Sequence, residues 1–134
     1  MIKQIGEGLT IVVLDDEKDI CHFVKEFFIR RGFDVHAALT GKAAIDLVKK
    51  VKPDIALLDI RLAKGKMDGI DVLKFIKEKQ PQCYCVMVSY VDDKKMIKQL
   101  KEIGASDYLL KPLTFEKIEN VIKRITKVIR KGAS

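Results

Sequence analysis

The sequence contains no tryptophan, three prolines and three cysteines in 134 residues. Cys21 stands far from the other two cysteines, and Cys83 and Cys85 lie two residues apart in an apolar run. An odd number of cysteines without a Cys-x-x-Cys pattern argues against a disulfide framework, a zinc site and a thioredoxin-like redox motif. We therefore expect buried free thiols in a reducing compartment, which predicts a cytoplasmic protein.

Long apolar segments are also missing. No apolar run approaches the roughly 20 residues that a membrane-spanning helix needs. The first eight residues, MIKQIGEG, include one lysine and no apolar stretch of signal-peptide length. With 48% hydrophobic and 34% charged residues, the chain has the composition and length of one globular domain. We predict a single domain over residues 1–134 that does not associate with membranes.

The histidines and the distribution of charge along the sequence give little support for a specialised binding function. His22 and His36 have no second ligand at helical or hairpin spacing, so we expect neither histidine to bind a metal. The net charge of +7 could serve a polyanionic partner, since lysine and arginine neutralise phosphates. However, the basic residues are scattered among acidic ones, which favours the alternative of a solvated surface.

Apolar runs alternate with amphipathic segments along the whole sequence. We predict five strands, at about Thr10–Leu14, Asp34–Ala38, Asp54–Leu58, Cys83–Val88 and Ser106–Leu110. Apolar residues at helical spacing predict five helices, at about Glu17–Arg31, Gly41–Val51, Ile70–Lys79, Asp92–Ile103 and Leu113–Arg130. Alternating strands and helices form right-handed βαβ units. The expected fold class is α/β, a doubly wound five-stranded parallel sheet between helices.

Polar residues collect where the predicted strands end. Because the carboxyl ends of parallel strands meet at one edge of the sheet, where ligands bind, we expect these side chains to be neighbours. They are Asp15, Asp16, Asp59, Ser89 and Lys111 with Pro112. Each has a structural alternative: an aspartate can cap the next helix, Ser89 can be a turn residue, and Lys111 can lie on the surface.

The group makes chemical sense as a unit. Two carboxylates about 4 Å apart repel by roughly 4 kcal/mol at an effective dielectric constant of 20, so three of them require a counter-charge. An all-oxygen ligand set matches Mg²⁺ or Mn²⁺. Lysine can pair with phosphate oxygens, and an aspartate can attack phosphorus to form an acyl phosphate. The residues therefore indicate metal-assisted phosphoryl chemistry.

The same residues resemble the receiver domain of two-component response regulators, and the single-domain chemotaxis type in particular. The resemblance covers about Leu9 to Ile129. It rests on Asp-Asp after the first strand, Asp after the third, Ser after the fourth and Tyr-x-x-Lys-Pro around the fifth. It implies a flavodoxin-like three-layer sandwich with strand order 2-1-3-4-5.

The resemblance also implies which residues bind the metal and the phosphoryl group. Asp59 would accept the phosphoryl group. Asp16 and Asp59 would bind Mg²⁺ or Mn²⁺ directly, Asp15 would bind it through water, and Arg61 would contribute its backbone carbonyl.

The resemblance implies roles for four further residues, of which Ser89 and Tyr108 would be the switch residues. Ser89 would hydrogen-bond a phosphoryl oxygen, and Lys111 would pair with the phosphoryl group next to a cis Lys111–Pro112 bond. Tyr108 matches the family's aromatic residue that moves inward when the serine moves. An ordinary strand aromatic is the alternative for Tyr108.

The function implied by the resemblance is a phosphorylation-activated switch in a phosphorelay. The protein would not be an enzyme with a separate substrate, although it would catalyse its own phosphorylation and dephosphorylation. A sensor histidine kinase or phosphotransfer protein would donate the phosphoryl group. A downstream protein would bind the face formed by helix 4, strand 5 and helix 5, with the chain a monomer or a phosphorylation-dependent homodimer.

Three alternatives are kept. The chain could be a receiver domain cut from a longer regulator with a separate output domain. It could be a haloacid-dehalogenase-like phosphatase, although Arg61 stands where such enzymes carry a second aspartate. It could bind nucleic acid, but only the charge supports this, and no helix-turn-helix pattern follows the fifth helix.

The sequence departs from the family pattern near the expected phosphoryl position. Ala63 stands where the family usually has proline, and the loop DIRLAKGKMDG is about two residues longer, with Lys64–Lys66 added. Tyr90 replaces the usual small residue after Ser89. We therefore expect the rate and lifetime of phosphorylation to differ from those of the family.

Overall fold

The structure, a computed structural model, describes residues 4–60 and 68–132. Strands and helices alternate within these ranges. The strands are β1 Thr10–Leu14, β2 Asp34–Ala38, β3 Ile55–Asp59, β4 Tyr84–Ser89 and β5 Asp107–Leu110. The helices are α1 Lys18–Ile29, α2 Gly41–Val51, α3 Gly69–Lys79, α4 Lys94–Ile103 and α5 Phe115–Gly132. Each predicted element is present, with its ends shifted by two residues at most.

All strand pairs are parallel, and the strand order is β2-β1-β3-β4-β5. The predicted doubly wound α/β fold and its strand order are therefore confirmed. Strands β1 and β3 lie side by side in the sheet although α1, β2 and α2 separate them in the chain. The chain thus reverses its direction of winding next to β1, so the carboxyl ends of β1 and β3 flank the position where ligands bind in such sheets.

Two hydrophobic cores cover the two faces of the sheet. Ile55 and Leu57 of β3 belong to one core, which includes residues of α1 and α5. Ala56 and Leu58 belong to the other, which includes residues of α2, α3 and α4. Because successive side chains of a strand point to opposite faces, a central strand between two cores must be apolar throughout.

Polar caps fix the first turns of the helices. Thr40 Oγ1 accepts a hydrogen bond from the Ala43 N–H at the start of α2. Asp68 and Asp71 form a capping box at the start of α3. Asp93 caps α4, which therefore begins two residues later than predicted.

The last helix also begins later than its apolar pattern predicts. Thr114 Oγ1 accepts a hydrogen bond from the Lys117 N–H at 3.2 Å, and α5 starts at Phe115. Leu113 lies before the helix but its side chain still packs against the core. This packing explains why Leu113 continues the apolar pattern of α5 in the sequence without being part of the helix. Pro112 does not lie in the first turn of α5.

Cys21, Cys83 and Cys85 are buried free thiols, which confirms that prediction. Among the helices of the described residues, none combines the length and the apolar character that a bilayer crossing requires.

Candidate functional site

The site is built on the carboxyl end of β1, where two adjacent aspartates differ in environment. Asp15 is 3% exposed, whereas Asp16 is half-buried. Asp15 Oδ1 accepts a hydrogen bond of 2.9 Å from the backbone N–H of Glu17, the N-cap residue of α1. The Asp15 carboxylate therefore fixes the turn between β1 and α1 and still directs its second oxygen into the site.

Asp59 is the last residue of β3, and its side chain is buried. Gly69, the first residue of α3, approaches the Asp59 backbone so closely that a β-carbon at this position would overlap the Asp59 carbonyl oxygen. The Gly69 N–H also donates to the carbonyl of Ile60 at 3.2 Å. The start of α3 thus packs directly against the backbone that carries Asp59.

Lys111, which follows β5, joins two of the carboxylates. Its Nζ lies 3.0 Å from Asp15 Oδ2 and 3.0 Å from Asp59 Oδ2. Its backbone N–H donates to the carbonyl of Ser89 at 2.8 Å, and the Lys111–Pro112 peptide bond is cis. The end of β5 is therefore tied both to the end of β4 and to the aspartates.

The environment of Lys111 stabilises its charged form. Burial alone lowers the pKa of the Lys111 ammonium group, but the hydrogen bonds and negative charges of Asp59 and Asp15 outweigh burial. The net pKa of Lys111 is raised, so the side chain stays positively charged at neutral pH.

The carboxylates form a compact acidic cluster. One oxygen from each of Asp15, Asp16 and Asp59 lies within 4.8 Å of the other two. At this separation or less, a pair of carboxylates repels by about 3.5 kcal/mol or more at an effective dielectric constant of 20. Lys111 compensates one of the three negative charges. A set of three carboxylates fits a hard divalent cation, which prefers oxygen ligands.

Ser89 and Tyr108 hold the backbone of the same residue, Val91, in the loop before α4. Ser89 is buried at the end of β4, and its Oγ accepts a hydrogen bond of 3.0 Å from the Val91 N–H. The Tyr108 hydroxyl donates to the Val91 carbonyl at 2.5 Å, and its half-buried ring packs against the core shared with α4. The position of Val91 therefore depends on both predicted switch residues.

Tyr90 lies next to Lys111. Tyr90 is 67% exposed, and the Lys111 Nζ is 5.3 Å from the centre of its ring. The ring also lines a cavity of about 210 Å³ beside Lys111, together with Phe23 of α1 and Leu113. A phenol ring at this position narrows the approach to Lys111 and its carboxylate partners.

Two residues of the site were missed from the sequence. Val91 acts through its backbone N–H and carbonyl, which leave no signal in a sequence. Gly69 could have been found, because a glycine directly after a helix-capping aspartate suggests a close backbone approach. The predicted roles of Arg61, Ala63 and Lys64–Lys66 concern residues outside the described part of the chain.

Comparison with known proteins identifies relatives of this arrangement. A family model described as the response regulator receiver domain matches residues 11–123. The sporulation initiation phosphotransferase F of Bacillus subtilis is 31% identical over 114 residues, which cover 85% of this chain and 90% of that protein. The chemotaxis protein CheY of Thermotoga maritima is 26% identical over 121 residues, which cover 90% of this chain and 99% of that protein.

A solved structure shares both the fold and part of the sequence. The two-component response regulator from Clostridium difficile is similar with a TM-score of 0.81 and 29% identity, covering 89% of this chain and 96% of that one. Other curated relatives are much longer, and the matched segment spans 24% to 28% of the length of five of them.

Proposed function

Because the chain belongs to the family of response regulator receiver domains of two-component systems, we propose that it is a phosphorylation-activated switch with Asp59 as the phosphoacceptor. The domain is a signalling module and does not belong to a classical enzyme family. The observation that carries the proposal is the burial of Asp59 between two other aspartates and Lys111 at the ligand-binding edge of the sheet.

The residues divide the chemistry between them. An oxygen of the Asp59 carboxylate attacks the phosphorus of a phosphohistidine on a sensor kinase or phosphotransfer protein. The new bond joins that oxygen to phosphorus, the phosphorus–nitrogen bond breaks, and the imidazole leaves and takes up a proton. Lys111 Nζ, 3.0 Å from Asp59, is placed to pair with a phosphoryl oxygen once it is attached.

Asp15, Asp16 and Asp59, with the backbone carbonyl of Arg61, are the proposed ligands for Mg²⁺ or Mn²⁺. Both Asp15 oxygens already have partners, Glu17 N–H and Lys111 Nζ, which supports an indirect role through water for Asp15. A bound divalent cation would add positive charge to this cluster of carboxylates.

The proposed output begins at Val91. A phosphoryl oxygen would accept a hydrogen bond from the Ser89 O–H and draw the Ser89 side chain away from the Val91 N–H that now donates to it, and Val91 is also held by Tyr108. Movement of Val91 would shift the start of α4. We therefore place the partner-binding surface on α4, β5 and α5. The domain would in turn lose the phosphoryl group by attack of water on phosphorus, a reaction that the same site would catalyse.

The other interpretations are weaker. The comparisons give no support for a haloacid-dehalogenase-like phosphatase. Several relatives are about four times longer than the match, so a role as one module of a longer regulator stays a proposal beside the single-domain switch. Direct binding to DNA is not proposed. Three buried free thiols support a reducing, cytoplasmic location.

Phosphorylation of the purified chain tests the proposal. Incubation with acetyl phosphate and Mg²⁺ should add one phosphoryl group, and mass spectrometry should locate it on Asp59. Asp59→Asn should abolish the modification, because an amide is a poor nucleophile. Asp46→Asn, on the exposed side of α2, is the matched control and should be phosphorylated like the wild type. Modification at another residue, or equal rates in excess EDTA, would refute the mechanism.

A further inference from the structure

One side of α4 combines exposed ammonium groups with an apolar residue that belongs to neither core. Lys94, Lys98 and Lys101 recur at spacings of four and three residues, so they share one side of the helix with Ile97. The three lysines are exposed. Ile97 is half-buried, but unlike its neighbour Met96 it is not part of the core on this face of the sheet.

The charge of these lysines is not compensated locally. In the part of the chain that the structure describes, no ion pair joins Lys94, Lys98 or Lys101 to a carboxylate. Glu102 lies four residues after Lys98 and forms no such pair within the described ranges either. Asp93 accepts hydrogen bonds from the first backbone N–H groups of α4. A partner with negative charges would therefore find these ammonium groups available.

The backbone of the next strand, β5, has few groups available to pair with a strand of a partner protein. Asp107 Oδ1 accepts the Tyr108 N–H at 2.8 Å, and Arg124 forms an ion pair with the same carboxylate. Lys117 Nζ donates to the carbonyl of Leu110 at 3.1 Å. Side chains of the same molecule thus occupy backbone groups at both ends of β5, and a partner would have to dock on helix side chains instead.

We propose that Lys94, Ile97, Lys98 and Lys101, here called the α4 lysine face, bind an acidic amphipathic segment of a partner protein. Carboxylates of the segment pair with the lysines, and an apolar side chain covers Ile97. The inference rests on the proposed function, because it names the class of partner that the switch would control. A phosphate backbone has no apolar side chain to cover Ile97, and a second copy of the chain would bring like charges together.

The α4 lysine face is also connected to the phosphorylation site. Val91, three residues before α4, is held by both Ser89 and Tyr108. Displacement of Val91 would tilt or shift the start of α4 and change the spacing between the lysines and a bound segment. Affinity for the acidic segment should therefore differ between the phosphorylated and unphosphorylated protein.

Binding of a defined probe tests the inference. The probe is a synthetic helical peptide with leucines on one side and glutamates on the other, measured by fluorescence anisotropy with and without beryllofluoride and Mg²⁺. Lys98→Glu/Lys101→Glu should weaken binding on the order of tenfold, because two attractive contacts become repulsive. The control is Lys49→Glu/Lys50→Glu, which makes the same charge change at exposed positions of α2. It should change peptide binding less than about twofold, because salt screens the attraction between the peptide and lysines that it does not contact.

Ile97→Ser separates the classes of partner. It should weaken binding of the peptide several-fold and leave binding of a duplex DNA oligonucleotide unchanged. Equal losses in both double variants would show general attraction to a basic protein and overturn the inference. The inference would also be overturned if DNA bound more tightly than the peptide and Ile97→Ser changed neither affinity. Self-association of the wild type that Lys98→Glu/Lys101→Glu abolishes in sedimentation experiments would overturn it as well.

Phosphorylation of Asp59 is measured on the same samples. If Asp59 is phosphorylated normally but the peptide does not bind at α4, the inference about the partner fails and the proposed function stands. If Asp59 is not phosphorylated, the proposed function fails whatever the peptide does.

Discussion

Replacement of Lys111 by methionine would remove the positive charge that two buried carboxylates share. Methionine keeps most of the length and the apolar stem of lysine, so the change isolates the ammonium group. In the wild type, Nζ lies 3.0 Å from Asp15 Oδ2 and 3.0 Å from Asp59 Oδ2, and all three side chains are about 95% buried. The variant would leave both carboxylates facing each other and Asp16 without this counter-charge.

The size of the effect follows from competing terms. Each contact at 3.0 Å contributes roughly 5 kcal/mol of attraction at an effective dielectric constant of 20. Desolvation of the buried charges offsets several kcal/mol of this sum, and breaking a buried ion pair by removing one partner costs about 3–5 kcal/mol. We therefore expect the metal-free variant to lose about 4 kcal/mol of unfolding free energy, or roughly 10–20 °C in melting temperature.

Chemical denaturation in EDTA and in Mg²⁺ measures this change. A divalent cation supplies positive charge to the same carboxylates, so Mg²⁺ should stabilise Lys111→Met more than it stabilises the wild type. Lys123→Met is the control, because Lys123 pairs with Glu119 at 3.3 Å on the surface with its side chain 63% exposed. That control should change the unfolding free energy by less than about 0.5 kcal/mol.

Two results would refute this account of Lys111. If Lys111→Met in EDTA is within about 1 kcal/mol of the wild type, the carboxylates do not depend on the ammonium group, since loss of a buried pair should cost more. If Mg²⁺ leaves the deficit of the variant unchanged, the cation does not act on the carboxylates that Lys111 joins.

Three further experiments, two substitutions and one labelling of the native protein, test other contacts in and around the site. Tyr90→Ala should accelerate loss of the acyl phosphate several-fold at matched Mg²⁺, because the ring takes up space 5.3 Å from the Lys111 Nζ; an unchanged rate would contradict this. Gly69→Ala should lower the melting temperature and slow phosphorylation of Asp59, since its methyl group would displace the Asp59 backbone. Burial and the nearby charge of Asp15 raise the pKa of the Cys21 thiol to about 11. Cys21 in the native protein at pH 8 should therefore resist Ellman's reagent, which reacts with the thiolate. Rapid labelling of Cys21 would contradict this.

The fold was predictable because buried positions recur at regular intervals along strands and helices, and the sequence shows these intervals as a periodic pattern of apolar residues. Strand β3 packs between two cores and is apolar from Ile55 to Leu58, and α2 repeats its buried residues at helical spacing. The ends of elements were harder to predict, because capping decides them. Leu113 continues the apolar stripe of α5, but the Thr114 hydroxyl binds the N–H of Lys117 and sets the first turn after it.

The set of residues at the site was predictable from topology, but their contacts were not. Parallel strands bring Asp15, Asp59, Ser89 and Lys111 to one edge whatever the details of the loops. The pairing of Lys111 with Asp59 joins residues 52 positions apart and depends on the packing of β5 against β4. From the sequence, Lys111 was expected to pair with a phosphoryl group, whereas in this structure the two aspartates are its partners.

Asp15 and Asp16 show why single residues could not be assigned from the sequence. As neighbours after one strand, both could be a helix cap or a metal ligand. In the structure, one oxygen of Asp15 holds the N–H of Glu17 and the other contacts Lys111, so a single carboxylate fixes the turn and takes part in the cluster. The two roles are compatible because a carboxylate accepts several hydrogen bonds through different oxygens. Fixing the turn also positions Asp16, the next residue, so the structural and the functional interpretation of Asp15 depend on the same contacts.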